Sequence, residues 1–404
     1  MVLPKSLTKY CMDLENTERA FAMKSDSDLR QAHGLFSLIA FPWLIRLGSV
    51  VLPFLLKLHI PIAPLLKATL FKHFCAGTGK KESLQLVERL SKFKVSSYVH
   101  YATEAILKEK GMDASLERTL ETFSFSKNST DLPFVVFKPT SLGRMELFEK
   151  IGQQKPLSPP EQQEWKRVVG RFEKCCEAAE KLSVNILIDA EESWLQDAID
   201  QEVLMLMRGY NKSVARVHTT VQMYRKDRLA YIEQLIALAK QENFKIGIKL
   251  VRGAYIDKEN KYAQSHGIPS AICPNKNATD ENFNKGLDLI LTHLDTISLF
   301  LGTHNEDSVK RVVAFVEKNK LSKQHPHLWF SQLYGMSDNI TFNLAEAGFQ
   351  TVKYLPFGPV REVVPYLIRR AEENTSVTGH SAREIALIKK ELKRRKALTA
   401  AQES

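Results

Sequence analysis

The sequence is poor in cysteine, and its few cysteines are not arranged for metal binding. The five cysteines are an odd number and form no CxxC pair, and Cys175 and Cys176 are adjacent, which disfavours a bridge between them. A reduced, intracellular protein is the better interpretation. The eleven histidines contain no HExxH pattern, and His325 and His327 have a poor spacing for chelation. The sequence therefore predicts no metal site.

Two further absences narrow the class of protein. No glycine-rich dinucleotide fingerprint opens a predicted helix, which argues against a doubly wound sheet. The N-terminal stretch is polar and carries Asp13, Glu15 and Glu18, so it resembles neither a secretory signal nor an acid-poor transit peptide. We therefore expect a cytoplasmic protein.

The overall composition is that of a globular protein with a basic surface. The chain has 404 residues, of which 44% are hydrophobic and 25% are charged, enough for one large domain with an appendage. The net charge of +11 points to an anionic partner. Basic residues lie singly at predicted strand ends rather than with aromatics in a groove, which argues against nucleic acid. The basic run 389–396 is more often a solvated helix face.

One segment, Leu35–Lys57, is apolar over nearly the length that a bilayer requires. It contains Pro42, Arg46 and Pro53, which disfavour a spanning helix. An interfacial segment lying on a membrane and a broken helical arm buried against the main domain both remain open.

Apolar runs of strand length alternate with amphipathic helical stretches from Leu132 onward. The predicted strands are Leu132–Phe137, Val184–Ile188, Val214–Val221, Phe244–Val251, Ile297–Gly302, His327–Phe330 and Thr351–Leu355, with a weak eighth near Pro269–Cys273. Eight strand–helix units over roughly 250 residues predict a (β/α)8 barrel of TIM type. We expect it at residues 127–380, after an N-terminal helical region at 1–126 in which 82–126 continue as helix. A basic C-terminal helix or tail is expected at 381–404.

Polar or charged side chains interrupt or follow nearly all of the predicted strands. In a (β/α)8 barrel the chemistry lies at the carboxyl ends of the strands. Singly, each of these residues could be an ordinary capping residue, but together they predict a polar site. They are Lys138, Asp189, Gln222, Lys249 with Arg252, Thr303-His304-Asn305, Gln332 and Tyr354.

The stretch Tyr354–Asn374 carries a distinctive helix face. The helix is predicted to start or kink at Pro365, because proline cannot donate a hydrogen bond in a helix interior. Helical spacing then places four residues on one face: Tyr366, Arg369, Arg370 and Glu373. Two adjacent guanidinium groups become favourable when an anion lies between them, and a carboxylate or phosphate fits best. From this stretch alone, an ordinary solvated basic helix explains the pattern as well as an anion-binding face does.

This stretch resembles the signature of the proline dehydrogenase family, flavin enzymes in which a tyrosine precedes a helix with an arginine pair and a glutamate. Other motifs of that family are matched by ILIDAEES, KLVRGAY, GTHN and FSQLYGM. The similarity runs from Pro133 to Asn374. It implies an FAD-dependent (β/α)8 enzyme that oxidises L-proline to 1-pyrroline-5-carboxylate.

The resemblance also implies a role for each matched position. Lys138 and the two arginines would hold the substrate carboxylate, and Asp189 would orient the cationic groups. The residues implied at the substrate are Lys138, Asp189, Tyr255, Leu333, Tyr354, Tyr366, Arg369 and Arg370. The residues implied at FAD are Gln222, Lys249, Val251, Gly253, Thr279, His304, Asn305, Gln332 and Glu373.

The chain departs from the family pattern at Lys249, where many bacterial members carry arginine, so an ammonium replaces a planar fork. No segment resembling an aldehyde dehydrogenase follows, and we expect a monofunctional enzyme. Members of this kind pass electrons to a membrane quinone. If the acceptor is a membrane quinone, Leu35–Lys57 and the positive charge would both serve to bind the protein peripherally to the inner face of the cell membrane.

Two alternatives remain open at this stage. A tyrosine at position 354 leaves little room for a ring hydroxyl, which favours L-proline over 4-hydroxyproline as the substrate. A (β/α)8 aldolase that forms a Schiff base on Lys138 or Lys249 is the rival from another enzyme class.

Overall fold

The computed structural model describes residues 12–58, 62–102, 108–127, 129–376 and 380–403. Within these ranges eight strands form a sheet in the order β1–β8–β7–β6–β5–β4–β3–β2. Their bounds are β1 Val95–Tyr101, β2 Phe134–Phe137, β3 Asn185–Ile188, β4 Val217–Gln222, β5 Ile246–Val251, β6 Ile297–Gly302, β7 Leu328–Leu333 and β8 Thr351–Phe357. Strand pairing is parallel, and the fold is the predicted (β/α)8 TIM-type barrel.

Helices precede the first strand, alternate with the strands and follow the last one. Short π and 3-10 turns occur at Lys67–Phe71 and Pro139–Ser141. The helices before β1 are α1 Thr17–Ala20, α2 Asp26–Ile39, α3 Pro42–Lys57, α4 Ala63–Leu66, α5 Lys72–Phe74 and α6 Lys80–Ser91. The later helices are α7 Glu109–Phe125, α8 Met145–Gly152, α9 Pro159–Leu182, α10 Ser193–Tyr210, α11 Arg228–Glu242, α12 Ile256–His266, α13 Lys276–Leu291, α14 Glu306–Lys318, α15 Asp338–Glu346, α16 Val360–Ser376 and α17 His380–Glu403.

The seven strands predicted as apolar runs are confirmed with small shifts at their ends. The parallel strands are covered on both faces, so their residues read as continuous apolar runs. In β2 all four residues are buried, and in β6 only the last residue is partly exposed. This burial explains why the strands could be predicted from continuous apolar runs in the sequence.

The prediction of helix over residues 82–126 is wrong in its middle, because Val95–Tyr101 is a strand. This strand pairs with β8 from Val95 opposite Thr351 to Tyr101 opposite Phe357. The barrel therefore begins before residue 127, inside the region predicted to be helical. Buried Ser97 and His100 interrupt its apolar pattern, which hides the strand.

The eighth strand predicted near Pro269–Cys273 is also wrong. No strand forms there, and Ile272 makes only an isolated antiparallel bridge with Arg225. The segment is short and lies between two prolines, Pro269 and Pro274, which cannot donate to a strand ladder.

The chain divides into two compact units, residues 1–102 with 332–404 and residues 103–331. In the first unit the N-terminal helices and α17 enclose a core against α16. The core includes Phe21, Phe36, Phe74, Leu367 and Leu387, each at most 2% exposed. The N-terminal region is thus part of the unit that carries the arginine helix.

Two arginines of the basic run at 389–396 take part in this packing, whereas its four lysines are exposed. Glu391 is fully buried and accepts hydrogen bonds from Arg394, Arg395 and the hydroxyl of Thr17. Arg395 also donates to the backbone carbonyl of Phe21. These pairings attach α17 to α1 and its neighbouring turn.

The apolar segment 35–57 is split between two helices. On α2, Phe36 and Ile39 are at most 2% exposed, whereas on α3 Trp43 is 62% and Val50 is 72% exposed. No single helix in the described ranges is long and apolar enough to cross a membrane. One bent pair, Asp26–Ile39 with Trp43–Leu52 at 96°, meets the length and composition test.

A buried ion cluster joins the N-terminal helices to β8. Lys24 Nζ and Lys353 Nζ lie 2.8 and 2.9 Å from the two carboxylate oxygens of Asp338. Lys353 also donates to the carbonyls of Leu333 and Met336. Burial raises the pKa of Asp338, but the two ammonium groups outweigh it and hold this pKa well below its ordinary value. The cluster fixes the loop that follows β7.

Candidate active site

An ion pair links the ends of β3 and β5. Lys249 Nζ donates to Asp189 Oδ1 at 2.6 Å, and the two side chains are only 13% and 19% exposed. Both residues were predicted at the site, but only the structure shows that they are partners. The ammonium of Lys249 is therefore held in place by a neighbouring carboxylate.

A second polar group forms at the ends of β2 and β5. Lys138 Nζ lies 3.4 Å from the hydroxyl of Tyr255, and that hydroxyl donates to Glu191 Oε2 at 3.2 Å. The other carboxylate oxygen of Glu191 accepts from the hydroxyl of Thr140 at 2.6 Å. The structure thus brings together Lys138 and Tyr255, both of which were predicted.

Glu191 was missed by the sequence analysis. It is 3% exposed, and burial raises the pKa of its carboxyl group, while the nearby charge of Lys138 opposes that rise. The signal was available, because Glu191 lies in the matched stretch ILIDAEES, two residues after Asp189. It holds Tyr255 and Thr140 beside Lys138.

The end of β4 carries a buried amide that lacks a complete set of partners. Gln222 is 4% exposed, and its side-chain oxygen has no hydrogen-bond partner among the described residues. The neighbouring backbone is fixed where Met223 N–H donates to the carbonyl of Val251. A bound group with an N–H donor could satisfy this buried acceptor.

Gly253 occupies a backbone conformation that requires glycine. Its φ is +122°, and a Cβ there would lie 2.5 Å from the ring of Tyr224. The residue before it, Arg252, donates to Asp280, Thr303 and Ser308. These bonds fix the turn after β5 on which Gly253 lies.

Three more predicted cofactor positions lie in the unit 103–331, and they differ in burial and in their hydrogen bonds. His304 follows β6 and is half-buried. Asn305 caps α14 through its amide oxygen, which accepts from Ser308 N–H at 2.9 Å, so a cofactor contact would fall to its NH2 group. Thr279 lies on α13, where its hydroxyl donates to the carbonyl of Asn275.

In the other unit, β8 and α16 form an aromatic and cationic group. The Tyr354 hydroxyl lies 2.7 Å from Nδ1 of His100, a residue that the sequence analysis missed together with its strand. The Tyr354 and Tyr366 rings are 6.0 Å apart, and the Arg370 guanidinium lies 5.1 Å from the Tyr366 ring centroid. Arg369 is partly exposed on the same helix.

Helix α16 begins at Val360 and contains Pro365, so of the two predicted alternatives the start at Pro365 is wrong and the kink there stays a prediction. Pro359 accepts hydrogen bonds from the backbone N–H groups of Glu362 and Val363, which forms the first turn ahead of Pro365. The side chain of Glu373, predicted to contact FAD, lies outside the described residues.

The end of β7 supplies two more predicted positions. Gln332 is 1% exposed, and its amide oxygen accepts from the hydroxyl of Thr341 at 2.8 Å. Leu333 is partly buried and packs against the core that contains Tyr366. Neither arrangement was visible in the sequence.

The residues present fit a flavin. The unpaired oxygen of Gln222 can accept from a ring N–H. The Lys249 ammonium and the half-buried His304 can face electron-rich or anionic parts of a cofactor. The donor set suits an anionic dinucleotide better than a metal, and the described residues hold no cluster of metal-ligating side chains.

Comparison with known proteins identifies the family to which these features belong. Residues 83–383 match the family model described as proline dehydrogenase. Proline dehydrogenase 1, mitochondrial, of Dictyostelium discoideum is 30% identical over 384 residues, which cover 84% of this chain and 67% of that protein. The carbapenem antibiotics biosynthesis protein CarD of Pectobacterium carotovorum is 35% identical over 322 residues, which cover 80% and 83%.

Solved structures support the fold. Proline utilization A of Bdellovibrio bacteriovorus aligns with a TM-score of 0.68 at 21% identity, covering 76% of this chain. The aligned part is 33% of that protein, so this chain spans about a third of its length. At this identity the similarity bears on the architecture alone.

Proposed function

This chain belongs to the proline dehydrogenase family, and from that premise we propose that it oxidises L-proline to 1-pyrroline-5-carboxylate with FAD as hydride acceptor. One observation carries the proposal. Arg370 lies over the Tyr366 ring, on the helix that also carries Arg369 and packs beside Tyr354. Such a face suits a small anion attached to an apolar ring.

Arg369, Arg370 and Lys138 bind the substrate carboxylate in this proposal. A carboxylate held by planar guanidinium donors has a defined orientation, which in turn decides which ring carbon is presented for reaction. Tyr354, Tyr366 and Leu333 supply the apolar wall for the ring methylenes. Glu191 acts through Tyr255, which it holds against Lys138.

The amine of L-proline must lose its proton before oxidation, because its nitrogen lone pair forms the new C=N bond. Lys138, Arg369 and Arg370 disfavour a further positive charge, which lowers the pKa of the bound amine and releases its proton to solvent. The C–H bond of the ring carbon next to nitrogen then breaks. FAD, when bound, would supply the redox chemistry as a hydride acceptor.

The cofactor is held by strand-end residues. Gln222 and Gln332 are the buried amides for the ring system, Lys249 would supply positive charge, and His304 would supply a ring nitrogen for a hydrogen bond. Val251, Gly253 and the NH2 group of Asn305 offer further contacts, and Thr279 is the candidate for the adenine-nucleotide half. Asp189 sets the position of the Lys249 ammonium through its 2.6 Å ion pair.

A single spectroscopic experiment tests this function. The purified protein should be yellow, and anaerobic addition of L-proline should bleach the oxidised flavin band, because hydride transfer reduces the bound FAD. The matched additions are glycine and 4-hydroxyproline at the same concentration, which should bleach it far more slowly.

The result would go against the proposal if a flavin-loaded protein kept its band in L-proline. A colourless protein that borohydride traps on Lys138 or Lys249 with a carbonyl substrate would instead favour the Schiff-base aldolase.

We further propose that the electrons pass to a membrane quinone and that α3 attaches the protein to an anionic bilayer. Leu47 is 54% exposed, beside the still more exposed Trp43 and Val50. Residues 29–81 contain no aspartate or glutamate but carry Arg30, Arg46, Lys57, Lys67, Lys72, Lys80 and Lys81. Three of these cations pair with carboxylates outside the segment, Arg30 with Asp26, Lys67 with Glu82 and Lys72 with Asp28. Exposed apolar side chains in a segment that carries cations and no carboxylate of its own suit an acidic lipid surface.

Vesicle sedimentation tests this surface. The protein should sediment with phosphatidylglycerol-containing vesicles more than with phosphatidylcholine vesicles, and added salt should weaken the binding. Replacing Trp43, Leu47 and Val50 by serine should abolish it while proline oxidation with a soluble dye continues.

The matched control replaces Met205 and Ile268 by serine, since these residues are 58% and 50% exposed in the other unit. That variant should still sediment with acidic vesicles. Equal sedimentation of the control and the α3 variant would exclude α3 as the attachment surface.

A further inference from the structure

His100 lies where it can control the Tyr354 side chain. It is on β1 two residues after Tyr98, so the two side chains share one face of the strand. Tyr98 is opposite Tyr354 in the parallel register, and their ring centroids are 5.2 Å apart. His100 is 8% exposed, and its Nδ1 is 2.7 Å from the Tyr354 hydroxyl.

This contact determines where the phenol hydroxyl points. The Tyr354 ring has Tyr98 on one side and packs near Tyr366, with centroids 6.0 Å apart. The imidazole nitrogen can donate to the phenol oxygen or accept from its O–H, and in either tautomer the hydroxyl is engaged with β1. A short bond to a buried partner restrains both the ring and the hydroxyl.

We propose that His100 is a specificity-determining positioning residue that acts through the Tyr354 hydroxyl. The inference rests on the proposed function, in which Tyr354 lies against the substrate ring. A phenol held by His100 forms a fixed wall and has its hydroxyl already engaged. Without His100 the ring can tilt, and its hydroxyl can pair with a hydroxyl on the substrate ring.

The substrate class set by this device is therefore the unsubstituted five-membered cyclic amino acid. A 4-hydroxylated ring is disfavoured twice, because it meets a restrained ring edge and finds no hydrogen-bond partner for its added hydroxyl. The proposal assigns this discrimination to a histidine on a strand different from that of the tyrosine.

A double-mutant cycle tests the proposal on the flavin-loaded, full-length protein. The measured quantity is the ratio of kcat/KM for L-proline to that for trans-4-hydroxy-L-proline. His100→Ala and Tyr354→Phe should each lower the ratio about 5- to 10-fold. His100→Asn, which retains a side-chain donor and acceptor near Nδ1, should keep most of it.

In the Tyr354→Phe background the additional His100→Ala change should alter the ratio by less than about 2-fold, because the hydroxyl through which His100 acts is already absent. The control variant is Tyr101→Phe, which changes another residue of β1 and removes its hydrogen bond to Glu362. It should leave the ratio unchanged.

Additive effects of His100→Ala and Tyr354→Phe would overturn the inference, since they would show that His100 acts on the fold and not on the hydroxyl. An unchanged ratio in Tyr354→Phe would overturn the inference as well. This second test does not require the His100→Ala variant to fold. If wild-type protein does not oxidise L-proline, the proposed function itself fails, which is a distinct outcome.

Discussion

Replacing Arg370 by alanine should raise the KM for L-proline roughly 10- to 150-fold, and Arg369→Ala should have an effect of the same order. Each change removes charge-assisted hydrogen bonds to the substrate carboxylate, which are present both in the bound substrate and in the transition state. Loss of such uniform binding raises KM more than it lowers kcat. Steady-state kinetics with L-proline and a soluble dye measures both constants.

Three further variants make the result specific. Arg361→Ala changes an exposed arginine at the start of the same helix and should leave KM unaltered. Lysine at position 369 or 370 keeps the charge but loses the planar fork, so KM should lie between wild type and alanine. The Arg369→Ala protein should retain its flavin. Wild-type KM in both alanine variants would remove the carboxylate clamp from the proposal.

Much of the barrel could be predicted because its strands are buried on both faces. Ile297–Gly302, for example, is strand β6 with the predicted bounds. A residue that breaks such a run marks a strand end, and this is how Asp189 and Gln222 were predicted. These predictions depend on local sequence alone, which is why they did not require knowledge of partners.

The first strand could not be found in this way. In β1 the buried positions include Ser97 and His100, so neither a continuous apolar run nor a clean alternation is present. What makes Val95–Tyr101 a strand is its seven-residue register with β8, whose sequence lies more than two hundred residues away. His100 was missed for the same reason.

The sequence also could not show which site residues pair with each other. Lys249 and Asp189 were predicted separately, and their 2.6 Å ion pair follows from the register that places β4 between β3 and β5. Packing of the N-terminal helical arm against the main domain was one of the alternatives that the sequence left open, but its partner was not predicted. The contact of these helices with α16 is made by apolar side chains such as Phe36, which carry no motif.

The ion cluster in that same unit leads to the largest expected effect on stability. Asp338→Ala should lower the free energy of unfolding by about 3–5 kcal/mol, because it removes the carboxylate that pairs with the fully buried ammonium of Lys353 and with the partly buried ammonium of Lys24. Lys353 is fully buried, and Asp338 is its only carboxylate partner in the described chain within ion-pair distance. Urea unfolding followed by circular dichroism measures the loss.

The cluster also predicts the sign of a pH effect. Because the pKa of Asp338 is lower in the folded protein, its contribution is complete above the unfolded pKa of about 3.9 and is lost as the pH falls below that value. Acid unfolding of the wild type should therefore include a contribution that Asp338→Ala lacks.

A second substitution separates loss of the counter-ion from loss of packing. Lys353→Met in the Asp338→Ala background removes one uncompensated ammonium, so part of the lost stability should return, although Lys24 remains. Asp288→Ala, which breaks the exposed pair with Arg311, should change stability little. If Lys353→Met deepened the loss instead, the lysine would be stabilising through its bonds to the Leu333 and Met336 carbonyls, and the ion pair would not be the dominant interaction.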